Sequence, residues 1–132
     1  MSYAAAAALQ AALHERLTQA PALAGVPVLD AVPGGQAPAT YVLIGPEEVR
    51  DASDKSGPGA EHRLVVSVVS RAAGFAAAKG IAVAVTDVLS GPVPALARGR
   101  LAGLWFVQAE ARRLDNGATR RVDLTFRARV EL

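Results

Sequence analysis

Carboxylates crowd one short stretch of the chain, Gly45 to Arg63, which reads GPEEVRDASDKSGPGAEHR and sets Glu47, Glu48, Asp51, Asp54 and Glu61 among Ser53, Ser56 and His62. Paired acids such as Glu47 with Glu48, or Asp51 with Asp54, are the residue types of general acid–base catalysis, which needs burial to push two carboxyl pKa values apart. Carboxylates on a polar, glycine-punctuated loop keep ordinary pKa values, so solvated loop charge is the better reading. Nucleophilic catalysis needs a hydroxyl presented beside a base on a turn such as GxSxG, and neither Ser53 nor Ser56 stands in that frame. The run DKSGPG has the glycines of a phosphate cradle. Such a cradle feeds a helix N-terminus, whereas this run feeds a β-branched segment.

His14 and His62 are the only histidines, with no HxxxH or HExxH spacing, and the chain has no cysteine. That leaves no metal constellation, disulfide or thiolate nucleophile, and the histidines read as solvent-facing or hydrogen-bonding groups. No catalytic, cofactor-binding or metal site is expected, and the chain reads as non-enzymatic.

Cations gather towards the other end, at Arg112, Arg113, Arg120, Arg121, Arg127 and Arg129. A nucleic-acid-binding module would interleave such arginines with exposed aromatics that stack on bases, and only Phe106 is placed for that on the polar face. Planar guanidinium suits carboxylates of the same or a neighbouring subunit better. The net charge of +2 is small and uneven. Residues from Arg98 onward are basic while Glu47 to Asp54 is acidic, a pattern that fits complementary subunit surfaces.

The elements that carry these groups follow from pattern. A length of 132 residues suits one domain with one core, and 52% apolar but 5% aromatic content makes that core a thin one of Ala, Val and Leu. Oligomerisation is the natural supplement. Ala4 to Gln19 is predicted as a helix capped by Ser2, with Leu9, Leu13 and Leu17 along one stripe. Gln10, His14, Glu15 and Arg16 break its apolar run, so neither a signal peptide nor a membrane span fits, and a soluble intracellular helix is expected. An extended piece, VPVLDAV, and a strand from Thr40 to Gly45 follow. The segment Glu61 to Arg71 is apolar on both faces and reads as a central strand. Gly74 opens a second helix reaching about Ser90, with Phe75, Ala78, Ala82, Val85 and Leu89 at helical spacing.

Asn116-Gly117 is the strongest short hairpin signal in the chain, since both turn residues must accept positive φ. With those two as the loop, the register pairs Ala111 with Val122, Ala109 with Leu124, Val107 with Phe126, Trp105 with Ala128 and Gly103 with Val130. The opposite face then holds Arg112 against Arg121, Glu110 against Asp123, Gln108 against Thr125, Phe106 against Arg127 and Leu104 against Arg129. Trp105 and Phe126 thus read as core. The polar face offers the diagonal ion pairs Glu110–Arg121 and Arg112–Asp123. The fold class is α+β: a mixed, mainly antiparallel sheet with two helices packed on it, a C-terminal β-hairpin, and a long β-hairpin arm around residues 45–63 tipped by DASDKSGPG.

The succession YVLIGPEEVRDASDKSGPGAEHRLVVSVVSRAAGFAAAKGIAVAVTDVL, then LARGRLAGLWFVQAEARRL and RRVDLTFRARVEL, resembles the small tail-completion proteins of long-tailed phages, and in particular the version encoded in the gene transfer agents of alphaproteobacteria. The resemblance covers nearly the whole chain and is looser from Ala20 to Ala39. It implies a tail terminator: a homohexameric ring that caps the head-proximal end of the tail tube and joins it to the head–tail connector, in the neck of a particle assembled in the bacterial cytoplasm. The implied partners are further copies of the chain, the tail tube protein and the connector or stopper protein, with DNA only as passing cargo and no membrane. The family brings no active site. It implies an inter-subunit or tube-facing role for the loop Val49 to Gly59 and its flanks, and the candidate interface residues are Glu47, Glu48, Arg50, Asp51, Asp54, Lys55, Arg112, Arg121, Arg127 and Arg129.

Overall fold

The computed structural model describes residues 3–31, 33–72 and 74–132. Helix α1 (Ala6–Gln19) turns Leu9, Leu13 and Leu17 inward as the four-residue spacing requires. Ser2 lies outside the described residues; the helix follows Ala5, which makes no side-chain cap bond. Pro21 ends the helix, because proline cannot donate to its ladder, and a short 3-10 turn, Pro21–Leu23, buries Leu23. Strand β1 (Val28–Leu29) lies within the extended piece expected there, whose Val32 is outside the described residues. Then come β2 (Thr40–Asp51), β3 (Gly59–Ser70), α2 (Ala76–Leu89), β4 (Arg100–Leu114) and β5 (Thr119–Glu131).

The five strands form one sheet in the order β1-β2-β3-β5-β4, parallel only between β1 and β2. The apolar β3 is central, as its two-sided pattern predicts. Both helices lie on one face. Rows of paired residues build that face: Val42, Val68, Val122 and Ala111; Ile44, Val66, Leu124 and Ala109; Glu47, Leu64, Phe126 and Phe106; Val49, His62, Ala128 and Leu104. Leu9, Leu13 and Leu17 of α1 and Ala78, Ala82, Val85 and Leu89 of α2 close over the apolar members of these rows.

The stretch from Gly45 to Arg63 is a β-hairpin, as expected, and it is built into the sheet. Its outgoing half pairs Glu47 to Asp51 with Leu64 to Ala60, and its returning half pairs in turn with Phe126 to Val130 of β5. One extra residue enters β2 between Ile44 and Glu47, at Gly45-Pro46. That bulge suits a proline, which has no N–H for the ladder. It also changes the side-chain parity, so that Glu47 and not Pro46 stands opposite Leu64 on the helix face.

The Asn116-Gly117 turn closes the C-terminal hairpin as predicted. Asn116 has φ 55° and ψ 33°, Gly117 has φ 90°, and the Ala118 N–H donates to the Asp115 carbonyl at 3.1 Å. Positive φ at both central residues is that of a type I′ turn, and it extends here to Asp115 at φ 53°, so the loop between the last paired residues, Leu114 and Thr119, takes in Asp115 and Ala118 as well. The register near the turn also holds, pairing Ala111 with Val122, Ala109 with Leu124 and Arg112 with Arg121.

Further from the turn the register departs from the sequence reading. A bulge between Phe106 and Gln108 inserts Val107, and a second one lies between Leu101 and Gly103. Phe106 therefore faces Phe126, Trp105 faces Arg127, Leu104 faces Ala128 and Gly103 faces Arg129. Trp105 is not core. It lies on the face away from the helices, 46% exposed, with Arg127 stacked 5.0 Å above its ring. Phe106 is not on the polar face either, but meets Phe126 edge-to-face at 5.9 Å. Gly103 accommodates the new arrangement, because a Cβ there would run into the Trp105 indole.

Candidate interaction surface

The sheet face opposite the helices carries the charge. Its rows read Glu48, Arg63, Arg127 and Trp105; then Arg50, Glu61, Arg129 and Gly103; then, towards the other end, Leu43, Ser67, Asp123 and Glu110; and Tyr41, Val69, Arg121 and Arg112. Side chains alternate across a strand, so the residues left over once β2, β3 and β5 have filled the core must point here. Only its β1 end is capped, by a small cluster of Tyr41, Leu43 and Val69 with Leu29 and Ala37.

Asp123 is the hub of this face. Ser67 Oγ donates to its Oδ1 at 2.6 Å, Arg121 Nε donates to the same oxygen at 2.7 Å, and Arg112 reaches Oδ2 at 3.1 Å. Arg121 also donates to Ser67 Oγ at 3.1 Å. The diagonal pair Arg112–Asp123 is thus as expected, whereas Arg121 turns to Asp123 on its own strand and not to Glu110. Burial raises the Asp123 pKa, but the Ser67 and Arg121 hydrogen bonds and the charges of Arg121 and Arg112 outweigh it and hold the carboxyl below the ordinary aspartate range. A folded-state pKa below the unfolded one contributes stability that is present above the unfolded value and lost as pH falls through the folded one. Asp123→Ala is therefore expected to cost about 1–3 kcal/mol, by stranding Ser67 and Arg121. Urea midpoints at successive pH values check this: the gap between wild type and Asp123→Asn should be widest near neutrality and narrow below about pH 4.

The hairpin tip is tied to β5. Arg129 approaches Asp54 at 3.6 Å and donates to the Ala52 carbonyl, while the Leu132 N–H donates to the Pro58 carbonyl at 3.0 Å. Gly59 lets the guanidinium lie close, since a Cβ there would stand 2.6 Å from it and Arg129 would have to shift. Within the tip Ser56 donates through backbone and hydroxyl to Asp54, at 2.9 and 2.5 Å, lowering that carboxyl's pKa.

The candidate interface residues fall in two groups. Asp54, Arg112, Arg121 and Arg129 are engaged in the contacts above, and Arg127 reaches Glu61 at 3.8 Å as well as covering Trp105. Within the subunit the acidic hairpin meets the arginines of β5 at Glu61–Arg127 and Asp54–Arg129, while Arg112 and Arg121 pair with Asp123. Glu48 and Arg50 pair with each other at 2.8 Å on the exposed surface. Asp51 accepts from Ser53 at 2.8 Å, and Lys55 is exposed at the tip. Glu47 and Asp51 lie on the helix side, in the rows of Leu64 and Ala60.

There Glu47 Oε2 meets His62 Nδ1 at 3.2 Å. His62 is fully buried and hydrogen-bonded, not solvent-facing, and its Nε2 has no partner. The signal was present: His62 stands two residues before Leu64, in step with the core side of β3. His14 bonds the Val28 carbonyl through Nε2 at 2.9 Å. Among the described residues no three or more His, Asp or Glu side chains gather as a metal site, and no helix is long and apolar enough to cross a membrane.

Comparison with known proteins places these features in a family. The family model for tail completion protein gp17 matches residues 5–131. Among solved structures, a chain from "Virion of native gene transfer agent (GTA) particle" is similar, at 55% identity and a TM-score of 0.91, over 99% of this chain and 100% of that one. No curated protein matches.

Proposed function

Because the chain belongs to the tail completion protein gp17 family, we propose that it is a structural, non-enzymatic component of a phage-like particle, forming a ring, hexameric in our reading, that terminates the tail tube and joins it to the head–tail connector. The observation that carries this is the similarity, over essentially both full lengths, to a chain of a gene transfer agent virion. The architecture supports it. A sheet with one face charged and uncovered, and a thin aliphatic core, gains by packing against neighbours, and heterologous contacts close into a ring when the rotation per subunit is right.

The ring sits at the head-proximal end of the tail, is assembled in the bacterial cytoplasm, and contacts the tube protein on one side and the connector on the other. DNA passes through it as cargo. The arginines that a nucleic-acid-binding hairpin would need are largely engaged: Arg112 and Arg121 with Asp123, Arg127 with Glu61 and Trp105, and Arg129 with Asp54. Producing particles without this chain tests the proposal. Filled heads and separate tails are expected, and normal yields of joined, infective particles lacking the chain would contradict it.

A further inference from the structure

Among the described residues, each end of the sheet leaves an edge without a partner strand. β4 is the last strand of the order, and β2 is covered by β1 only at Val42 and Leu43, so Glu47 to Arg50 has an open edge. The successive antiparallel pairings make β4 antiparallel to β2, so a second copy that continues the sheet in the same sense brings β4 beside the β2 edge of its neighbour in antiparallel orientation.

What stands at the two ends of one row is complementary. The row Glu47, Leu64, Phe126 and Phe106 runs across the helix face, with Phe106 at the β4 end and 50% exposed. Beside Phe106 lies an apolar groove of ≈ 360 Å³ between β4 and α2, with Val83 59% exposed and Lys79 among its lining residues. At the Glu47 end lies a cleft of ≈ 540 Å³, walled by Tyr3, Ala6, Ala7 and Ala11 and bearing the carboxylates of Asp30 and Glu47. One end thus offers an exposed apolar rim, aromatic at Phe106, and a cation. The other offers a cleft walled by Tyr3 and small alanines, and two anions. Exposed aliphatic and aromatic side chains grouped this way mark an interaction site.

Resting on the ring reading, we propose that the occupant of each surface is a second copy of this chain: the exposed apolar rim formed by Phe106 and Val83 on one subunit packs over the α1/β2 cleft of the next, with Lys79 facing Asp30 and Glu47. The contact is head-to-tail, uses different patches on the two partners, and repeats around a closed ring. Charge fixes its orientation and the apolar rim supplies its affinity.

Two variants on exposed positions of helices test it, Val83→Glu on the rim and Ala7→Glu on the cleft, like charges that cannot pair with each other, followed by sedimentation across a wide concentration range with circular dichroism as the folding control. Each variant alone is expected to self-associate at least about tenfold more weakly than wild type, since each buries an unpaired charge. Mixed together, they retain one intact rim and one intact cleft, and a one-to-one dimer that grows no further should form. Wild-type self-association in either variant overturns the proposal, and so does a wild-type chain that stays monomeric at every concentration. Particles that hold a ring of the chain although both variants still assemble would remove this contact and leave the ring reading standing; particles without the chain would remove the ring reading itself.

Discussion

Phe126→Ala is expected to lower the unfolding free energy by about 3–5 kcal/mol, the cost of emptying a fully packed aromatic site. Phe126 is the largest fully buried side chain among the described residues. It sits on β5 between Leu64 of β3 and Phe106 of β4, so its ring holds the edge strand to the centre of the sheet. A core built from Val, Leu and Ala has little volume nearby with which to refill the cavity. Since small domains are stable by only about 5–15 kcal/mol, this one change removes a large share. Urea unfolding at fixed protein concentration measures it, because association would shift the midpoint. A loss under about 1 kcal/mol would show that Phe106 or a helix collapses into the space, while Phe126→Leu should cost clearly less than Phe126→Ala.

Replacing Ser53 to Pro58 by Asn-Gly is expected to leave the subunit folded and abolish the joining of tails to heads. The Ala52 N–H already donates to the Gly59 carbonyl at 2.9 Å, so a two-residue type I′ turn can close the same ladder. What is lost is the exposed tip, with Lys55, Asp54 and the Asp54–Arg129 contact. On the ring reading that tip reaches a neighbouring subunit or the tail tube. Thermal unfolding should move by a few degrees at most, whereas infective particles should fall to background. Unfolding of this variant would mean the tip stabilises the subunit, and full infectivity would mean that it touches nothing needed.

The sequence alone carried most of the fold because its signals agreed with one another. Leu9, Leu13 and Leu17 share a helix face, the apolar run of β3 puts it between two other strands in the middle of the sheet, and Asn116-Gly117 supplies positive φ where the hairpin turns. The bulge at Val107 left no trace, since Leu104, Trp105, Phe106 and Val107 are all apolar and a slip of one residue places no charge in the core. Alternation normally makes register readable through the cost of burying polar groups, and here that cost was absent. The consequence fell on the very residues that matter at the β4 edge, exchanging the places of Trp105 and Phe106.

The charged residues were read less fully, for a related reason. Glu47 was grouped with Glu48 by adjacency, but neighbours on a strand point to opposite faces, and only the bulge at Gly45-Pro46 decides which one faces the helices. Its partner His62 was recoverable from spacing with Leu64, Val66 and Val68. Asp123 entered the sequence reading as one half of a diagonal pair. Its bond to Ser67 links β5 to β3, a cross-strand contact that no spacing within the C-terminal hairpin could supply.

The central claim, that this chain is the ring completing a tail, is tested most directly by a cryo-electron reconstruction of the neck of purified particles at a resolution that identifies side chains. The account predicts a closed ring of copies of this chain between tail tube and connector, related by rotation about the channel axis and each touching two neighbours. A neck built entirely from other chains would contradict it.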